Sequence, residues 1–504
     1  MLLINPPVVK PSEPPAGIAK LAGALAANNV PCRVLDANIE GLLFLMGRPG
    51  TASDTWGRRA IRNGADNLAA LRGPATYRSL DRYKRVVRDV DRLLALASAK
   101  QGDIIGLSDH QHPLLSPLRS EDLIAAAEHH GRNPFSLYFR SRLRQVIGQG
   151  PTQMVGISLN YLSQALTAFA MIGFIREEFP GLKVVLGGGL VTSWMKRPGW
   201  NDPFAGLVDL CIAGPGEGPL LDLLGADTAT RPHGTPDYRS FRRQDYLSPG
   251  FILPYSGSSG CYWNKCSFCP ETAEDNPYLP VPPAAAMADI ASLTASTGPV
   301  LIHLLDNSVS PALMNALAKD PPGVPWYGFA RFGQDLADPD RCRELRRSGC
   351  VMLKLGLESG DQSVLDRMQK GIDLEQASQV LRNLSGAGIA TYVYLLFGAP
   401  EESSAEARKT LEFVVRHADA ISFLNLAVFN MPVCSQEAKG YETGTFYEGD
   451  LSLYTGFKHP LGWDRKVVRR FLDVEFKKHP AVSSILKHDP PVFTSNHAAF
   501  LTKR

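Results

Sequence analysis

Three cysteines stand close together near the middle of this 504-residue chain. Cys261, Cys266 and Cys269 form a C-x4-C-x2-C pattern in the loop from Gly260 to Pro270. Three thiolates at this spacing can each bind one iron of a [4Fe–4S] cube, which leaves the fourth iron without a protein ligand. An iron with an open position can bind a small molecule and pass an electron to it. The cysteines therefore predict an iron–sulfur site with one ligand-binding iron.

Two other interpretations of the three cysteines stay open. They could contribute to a Cys3His zinc site, or one of them could be an inert buried thiol beside an unrelated pair. No second C-x2-C pair and no nearby His-x3-His follows, and the next histidine is His303, well away in sequence. His303 lies inside an apolar stretch, where a core histidine is more typical than a catalyst. The spacing favours the cluster. For Cys434 we expect a buried, inert thiol rather than a substrate contact.

Length and composition limit the class of protein. A chain of this length predicts about two to four domains, and 44% hydrophobic residues suffice for proper cores. A net charge of +3 gives no argument for a nucleic-acid partner. The remaining cysteines are scattered rather than arranged as a disulfide framework, and an iron–sulfur cluster needs a reducing compartment, so we expect a cytoplasmic protein. The first residues indicate a strand and a loop rather than a signal peptide, and no apolar run of about 18 residues predicts a membrane span.

The first part of the chain alternates short apolar strands with helices. This alternation, with glycines just beyond several strands, predicts an open parallel sheet that binds ligands beyond the carboxyl ends of its strands. A G-x-G-x-x-G dinucleotide motif is missing from the sequence. The predicted strands are 2–5, 32–36, 103–107, 154–159, 183–186 and 209–213, and the predicted helices include 16–28 and 163–178.

A long insertion, at about residues 47–150, is predicted to be largely helical. In it, Leu80, Tyr83, Val87, Val90 and Leu94 recur at steps of three and four residues, as one face of a helix does. The basic side chains of the same helix lie mostly off this stripe, and acidic ones interleave with them: the two sets are Arg82, Lys84, Arg85 and Arg88, and Asp81, Asp89 and Asp91. The interleaving favours a solvated surface over a site for an anionic substrate or partner.

After a connector at about 231–250, the cysteine loop opens a second series of strands and helices. Barrel enzymes place their chemistry at the carboxyl ends of such strands. The candidate residues there are Asp306, Arg331, Glu358, Ser359, Gly360, Phe397 and Gly398; helix capping is the alternative role for the polar ones. The predicted strands are 300–305, 326–330, 352–357, 391–397 and 420–425. The predicted helices are 282–294, 310–317, 339–348, 362–368, 374–387 and 404–417.

The cysteine loop resembles that of the radical S-adenosylmethionine (SAM) enzymes, although the usual spacing there, C-x3-C-x2-C, is one residue shorter. The Gly-x-Glu-Ser-Gly segment at 356–360 and the Phe-Gly-Ala-Pro segment at 397–400 resemble the same family. This resemblance implies a partial (β/α)6 barrel in which Glu358, Ser359 and Gly360 lie beside SAM and Phe397 and Gly398 pack on its adenine. Arg331 would pair with the SAM carboxylate, and Asp306 would contact ribose or substrate. Aromatic side chains would shield the cluster from water: Tyr262, Trp263 and Phe268.

The N-terminal pattern resembles the cobalamin-binding domain of B12-dependent radical SAM enzymes. The resemblance implies cobalamin contacts at Pro7, Gly17, Ser158, Gly187, Gly188, Gly214 and Glu217. The D-x-H-x-x-G motif, whose histidine binds cobalt in other cobalamin domains, is absent. We therefore expect His110 and His112 only to line the pocket; cobalt ligation by one of them, and a domain that has lost cobalamin, are the alternatives.

Together these patterns predict an α/β protein with four parts. They are a Rossmann-like cobalamin domain at 1–230 with the insertion, a linker at 231–250, a radical SAM partial barrel at 251–430, and an α-rich C-terminal extension at 431–504. The resemblance implies reductive cleavage of SAM to a 5′-deoxyadenosyl radical, hydrogen abstraction, and methyl transfer to an unactivated carbon of a small molecule or natural product. A flavodoxin- or ferredoxin-type protein would donate the electron. The alternatives are cyclisation or rearrangement, a radical SAM enzyme without cobalamin, and a non-catalytic iron–sulfur or metal-binding module.

Overall fold

A computed structural model of the protein describes residues 1–226, 233–493 and 497–502. The chain forms two compact units. Unit 1 comprises Met1–Ile252, Glu448–Leu453 and Pro490–Asn496, and unit 2 comprises Leu253–Tyr447, Tyr454–Asp489 and His497–Arg504. None of the helices in the described residues is long and apolar enough to cross a membrane.

Unit 1 contains a five-stranded sheet whose neighbouring strands are all parallel. Its strands are β1 (Leu2–Asn5), β2 (Arg33–Asp36), β3 (Met154–Ser158), β4 (Lys183–Gly187) and β5 (Leu210–Ile212), in the order β2-β1-β3-β4-β5. The central strands are almost wholly apolar because helices cover both faces of such a sheet. The helices of unit 1 are Ala16–Ala27, Ala37–Met46, Thr55–Arg62, Gly64–Leu71, Leu80–Ser98, Ser120–Glu128, Ser136–Gly148, Leu162–Glu178, Gly189–Met195 and Glu217–Leu223.

The predicted sheet strand at 103–107 was wrong. Only Ile104–Ile105 is extended, and it pairs antiparallel with His110–Gln111 rather than with the parallel sheet. The Ile104 side chain is 60% exposed, so the segment lacks the two buried faces of a central strand. A buried contact between Asp103 Oδ1 and His110 Nε2 at 2.7 Å closes this short hairpin on itself.

The predicted linker packs on unit 1 over the part that the structure describes, which begins at residue 233. Tyr238, Phe241, Tyr246 and Leu247 are buried there. The Tyr246 hydroxyl donates a hydrogen bond of 2.6 Å to Asp36 Oδ2 at the end of β2. The segment is therefore part of the unit 1 core, because burying its four large apolar side chains stabilises it on the unit.

Unit 2 contains a six-stranded sheet in which consecutive strands are neighbours. Its strands are β6 (Ile252–Tyr255), β7 (Leu301–Leu304), β8 (Trp326–Ala330), β9 (Cys350–Glu358), β10 (Ala390–Phe397) and β11 (Phe423–Val428). The four strand pairs from β7 to β11 are parallel, as a partial (β/α)6 barrel requires. The helices of the unit are Pro270–Ala273, Pro283–Thr297, Pro311–Lys319, Pro339–Arg347, Gln362–Arg367, Leu374–Gly386, Ser404–Arg416, Arg465–Phe471 and Pro480–Leu486.

The C-terminal extension combines helices with a small antiparallel sheet that the sequence did not predict. Tyr454–Phe457 pairs on its two sides with Met431–Pro432 and Thr443–Gly444. The outer strands have only two residues each, which is too short for a visible alternation of apolar and polar side chains.

Candidate active site

The cysteine loop lies directly after β6. Its start is fixed by Ser258–Ser259, which pairs antiparallel with Leu279–Pro280. Gly260 has a φ of +73°, and a Cβ there would lie 2.3 Å from the carbonyl oxygen of Pro277, so only glycine fits. The buried carboxylate of Asp306, after β7, accepts hydrogen bonds from Gly257 N at 3.0 Å and from Ser258 Oγ at 2.6 Å. Asp306 therefore holds the start of the cysteine loop against the end of β7.

The three cysteines are free thiols, with Cys266 buried and the other two partly buried. Burial raises the pKa of Cys266. The positive charges of Lys370 and Arg331 oppose this rise, and Arg331 also donates a hydrogen bond to the Cys266 sulfur. Burial also raises the pKa of Cys269 to about 11, although the backbone N–H groups of Glu271 and Thr272 bind its sulfur. These cations and amides would stabilise thiolates once a metal displaced the protons.

The described residues contain no group of three or more His, Cys, Asp or Glu side chains spaced to hold one metal ion. In a [4Fe–4S] cube each thiolate binds a different iron, so the three sulfurs need not converge on one point. The donor set of three free thiols, with amides and cations around two of them, fits such a cluster.

Trp263 connects the cysteine loop to the turn that follows the helix Gln362–Arg367. Its Nε1 donates to the carbonyl oxygen of Gln369 at 3.0 Å, and the Arg331 guanidinium lies 4.1 Å from its ring centroid. Arg331 also donates to the carbonyl oxygen of Lys370. Gly371 has a φ of +64°, and a Cβ there would lie 2.1 Å from the indole, so the turn needs glycine at this point. Trp263 and Arg331 thus hold this turn against the cysteines.

The turn carries a lysine that the sequence analysis missed. Lys370 Nζ lies 2.8 Å from Glu358 Oε1 at the end of β9, and the two side chains are only 9% and 13% exposed. Its Nζ also lies 5.4 Å from the Phe268 ring centroid. Glu358, Arg331, Lys370 and Cys266 therefore form one charged group. No sequence signal marked Lys370, because a lysine and a glycine just after a helix usually act only as its C-terminal cap.

Ser359 and Gly360 face a helix in this structure. The Ser359 hydroxyl lies 3.3 Å from Thr410 Oγ1, and Gly360 N donates to the same oxygen at 2.8 Å. A Cβ on Gly360 would lie 2.7 Å from the Thr410 Cα. These two residues hold the end of β9 on the helix Ser404–Arg416, whereas Glu358 reaches Lys370.

The end of β10 packs against the C-terminal helices. Phe397 is fully buried, with Phe471 and Phe476 beside it at centroid distances of 6.1 and 5.2 Å. Gly398 has a φ of +83°, and its N–H donates to Glu402 Oε2 at 2.7 Å. Trp463 Nε1 donates to the same oxygen at 2.8 Å. Burial raises the pKa of Glu402 to about 7.

β9 carries a second buried cation, Lys354. The side chain of Lys354, four residues before Glu358, lies 3.3 Å from His303 Nε2 and within 4.9 Å of the Phe329 ring centroid. His303 stacks on Tyr327 at 4.3 Å, as a core histidine does. Cys434, expected to be buried, is partly exposed.

In unit 1 the predicted cobalamin contacts gather at the carboxyl edge of the sheet. Ser158 and Gly187 are paired end residues of β3 and β4, and Gly188 follows with a φ of +111°. A Cβ on Gly17 would meet only Ser158 Oγ, at 4.0 Å, and one on Gly214 would meet nothing within 4 Å. Gly17 and Gly214 therefore leave free space that a flat ligand can occupy.

Other side chains at this edge are already engaged. Glu217 forms an ion pair of 2.7 Å with Lys20. Asn160, which the sequence analysis missed, donates to Ser158 Oγ at 3.0 Å and accepts from Gly189 N at 3.0 Å. Asn160 was missed because an asparagine beyond a strand is too common in turns to mark a site by itself. Pro7 is buried just after β1.

Neither histidine of the hairpin loop is arranged to bind a metal. His110 is buried, with Nε2 2.7 Å from Asp103 Oδ1 and Nδ1 3.3 Å from Thr167 Oγ1, so both ring nitrogens have partners. His112 Nδ1 accepts hydrogen bonds from Leu114 N and Leu115 N, at 3.1 and 2.9 Å. A neutral imidazole that accepts at Nδ1 carries its proton on Nε2, which then has no lone pair for a metal.

Comparison with known families and structures agrees with this geometry. Residues 255–414 match the family model of the radical SAM superfamily. This part of the chain is therefore a radical SAM domain, and the predicted resemblance is confirmed. No curated protein matches the chain in a sequence comparison.

The fold is similar to that of a radical SAM methyltransferase in two solved structures. The radical SAM methyltransferase TsrM from Kitasatospora setae, with cobalamin and a [4Fe–4S] cluster bound, is 16% identical; the match covers 90% of this chain and 84% of that one, with a TM-score of 0.55. TsrM with its tryptophan substrate and a SAM analogue bound is also 16% identical and covers 89% and 79%, with a TM-score of 0.57. The α/β fold with a Rossmann-like N-terminal sheet is confirmed.

Proposed function

We propose that the chain is a cobalamin-dependent radical SAM enzyme that transfers a methyl group to an unactivated carbon of a small molecule. The observation that carries this proposal is the set of three free thiols, Cys261, Cys266 and Cys269, in one loop of a radical SAM domain. The similarity to a cobalamin-binding methyltransferase fold supports the choice of methyl transfer.

Different residues of unit 2 would bind the cluster and SAM. The three cysteines would hold a [4Fe–4S] cluster. Glu358 and Arg331 would bind the amino and carboxylate groups of SAM, because a carboxylate accepts from an ammonium and a guanidinium donates to a carboxylate. When bound, the cluster and SAM supply an electron and a source of a carbon radical, and cobalamin supplies the methyl group. A flavodoxin- or ferredoxin-type protein would deliver the electron.

Lys370 brings a positive charge close to both Glu358 and Cys266. In the present arrangement it neutralises Glu358 at 2.8 Å. An ammonium group from SAM would compete with Lys370 for that carboxylate. We therefore propose that Lys370 turns towards Cys266 when Glu358 binds SAM, so that no buried charge is left without a partner.

Cobalamin would bind at the carboxyl edge of the unit 1 sheet, over the glycines Gly17, Gly188 and Gly214. Neither His110 nor His112 would bind its cobalt, because both ring nitrogens of His110 have partners and Nδ1 of His112 accepts hydrogen bonds, which leaves the proton on Nε2. The loop would then contribute to the shape of the pocket without binding cobalt.

Corrinoid retention tests the cobalamin part of this proposal. Protein purified with cobalamin should keep its corrinoid absorbance through gel filtration. Gly17→Leu should lose the absorbance, since the leucine extends into the carboxyl edge at a position where a Cβ meets only Ser158 Oγ, at 4.0 Å. Gly181→Leu is the matched control, because a Cβ there meets nothing within 4 Å and the residue lies before β4, at the opposite edge of the sheet. A wild-type protein without corrinoid would make unit 1 a domain that has lost cobalamin.

A further inference from the structure

The helical insertion of unit 1 has a cavity of about 370 Å³ that is open to solvent. Trp56, Arg59, Arg85 and Arg88 line it, from the helices Thr55–Arg62 and Leu80–Ser98. This volume is at the lower end of the range of small-molecule sites. None of the four residues belongs to the proposed cluster, SAM or cobalamin sites.

Two of the three arginines carry charge that the protein does not neutralise. Arg59 forms two hydrogen bonds with the carboxylate of Asp89, whose side chain is only 2% exposed. Arg85 and Arg88 have no hydrogen-bond or ion-pair partner within the described parts of the chain. The cavity therefore presents two unpaired guanidinium groups, three residues apart, on adjacent turns of one helix.

The interleaved acidic residues do not cancel this charge. The sequence favoured a solvated surface because Asp81, Asp89 and Asp91 alternate with the basic side chains. In the structure, however, Asp89 is buried beneath Trp56 and Arg59, and Asp91 Oδ1 accepts from Leu107 N at 2.7 Å. Two of the three carboxylates are thus used inside the unit, which removes the reason for that interpretation.

Trp56 adds a rigid apolar wall to the cavity. Its Nε1 donates to Asp89 Oδ1 at 2.8 Å, and its side chain is nevertheless 44% exposed, which is unusual for tryptophan in a folded core. The same carboxylate therefore holds both Trp56 and Arg59 in place. The Arg92 guanidinium lies 5.2 Å from the centroid of the indole ring, so a planar group of a ligand would pack on the part of the indole that Arg92 leaves exposed.

We propose that this cavity binds a phosphate monoester whose organic part is planar. Two unpaired guanidinium groups match the charge of a phosphate dianion better than that of a carboxylate, and their planar forks suit its oxygens. The indole would then contact the organic part. The inference rests on unit 1 alone, so it holds or fails independently of the proposed methyl transfer.

Calorimetric titration of the full chain tests the site with three probes: phenyl phosphate, inorganic phosphate and benzoate. Phenyl phosphate should bind most tightly, because it alone combines the dianion with a ring. Arg85→Gln and Arg88→Gln should each weaken its binding about tenfold, the effect of losing one charge-assisted contact. Arg82→Gln, which removes an exposed arginine of the same helix that does not line the cavity, should leave the affinity within about twofold.

Three results would overturn the proposal. The first is no measurable binding of phenyl phosphate, and the second is tighter binding of benzoate than of phenyl phosphate. The third is that Arg82→Gln weakens phenyl phosphate binding as much as Arg85→Gln and Arg88→Gln do, which would indicate general attraction to a basic surface. Trp56→Phe separates the two parts of the ligand: it should reduce the advantage of phenyl phosphate over inorganic phosphate and leave inorganic phosphate bound. Because Arg59 stays paired with Asp89 in this variant, circular dichroism should show an intact fold.

Discussion

The contribution of the Glu358–Lys370 pair to the stability of unit 2 tests whether the charged group beside the cysteines is arranged as described. Replacing Glu358 with alanine leaves the ammonium of Lys370, only 9% exposed, without its carboxylate partner. Removing one partner of a buried ion pair costs about 3–5 kcal/mol, because the other charge stays desolvated. For a unit of this size that cost corresponds to a fall in the unfolding midpoint of unit 2 of about 6–20 °C.

The double variant separates this cost from a general effect of losing Glu358. Glu358→Ala combined with Lys370→Met removes both charges and keeps the apolar stem of the lysine, so most of the lost stability should return. The assay is thermal unfolding of the two single variants, the double variant and the wild type, followed by differential scanning calorimetry. If the two single effects simply add in the double variant, the side chains are not coupled and the reasoning about a buried pair is wrong.

The same pair changes how SAM binding should be measured. Glu358→Ala would weaken SAM binding by roughly 1–3 kcal/mol, the scale of a hydrogen bond to a charged group, but its unfolding would confuse the result. The double variant with Lys370→Met should show the loss of SAM affinity in a stable protein. Unchanged affinity in that variant would assign Glu358 to the turn alone.

Three further predictions concern other parts of the structure. Burial raises the pKa of Glu402 from 4.5 to about 7, so folding favours the protonated form and the free energy of unfolding falls as pH rises between these values. In urea unfolding, Glu402→Gln should have the same free energy of unfolding as the wild type at pH 4.5 and exceed it by up to about 3 kcal/mol above pH 7. Gly371→Ala should lower the iron content after reconstitution, since its methyl group strikes Trp263. Replacing His110 and His112 together should leave the electron paramagnetic resonance spectrum of bound Co(II) cobalamin without nitrogen splitting, as in wild type; a splitting in wild type that the double variant loses would make this loop a cobalt-ligand site.

Much of the unit 2 sheet could be predicted because its strands are apolar runs with clear ends. β8 has the predicted bounds, 326–330, and β10 begins one residue earlier than expected. β9 extends further at both ends, to Cys350 and Glu358. β11 lies three residues later than predicted, at Phe423–Val428 rather than 420–425. The sequence therefore located the end of β9 to within one residue, and with it the carboxylate of Glu358, since glycines stand nearby, but it misplaced β11.

The direction in which each strand-end side chain faces could not be predicted. Glu358, Ser359 and Gly360 are consecutive, yet only Glu358 reaches the charged group, because the other two pack on Thr410. Lys370 was missed for a related reason: its partner is distant in sequence by a helix and a turn, and no local pattern encodes that contact. Likewise, two isoleucines at 104–105 gave a strand signal, whereas the Asp103–His110 contact set the hairpin.

Iron-dependent cleavage of SAM tests the central claim most directly. After anaerobic reconstitution and reduction, the wild-type protein should hold about four iron atoms per chain with little zinc and should form 5′-deoxyadenosine from SAM. Alanine at Cys261, Cys266 or Cys269 should abolish both, because each supplies one of three protein ligands. Cys32→Ala, which changes a free thiol of unit 1, should leave both unchanged. Wild-type amounts of 5′-deoxyadenosine from any of the three variants, or zinc in place of iron, would contradict the account.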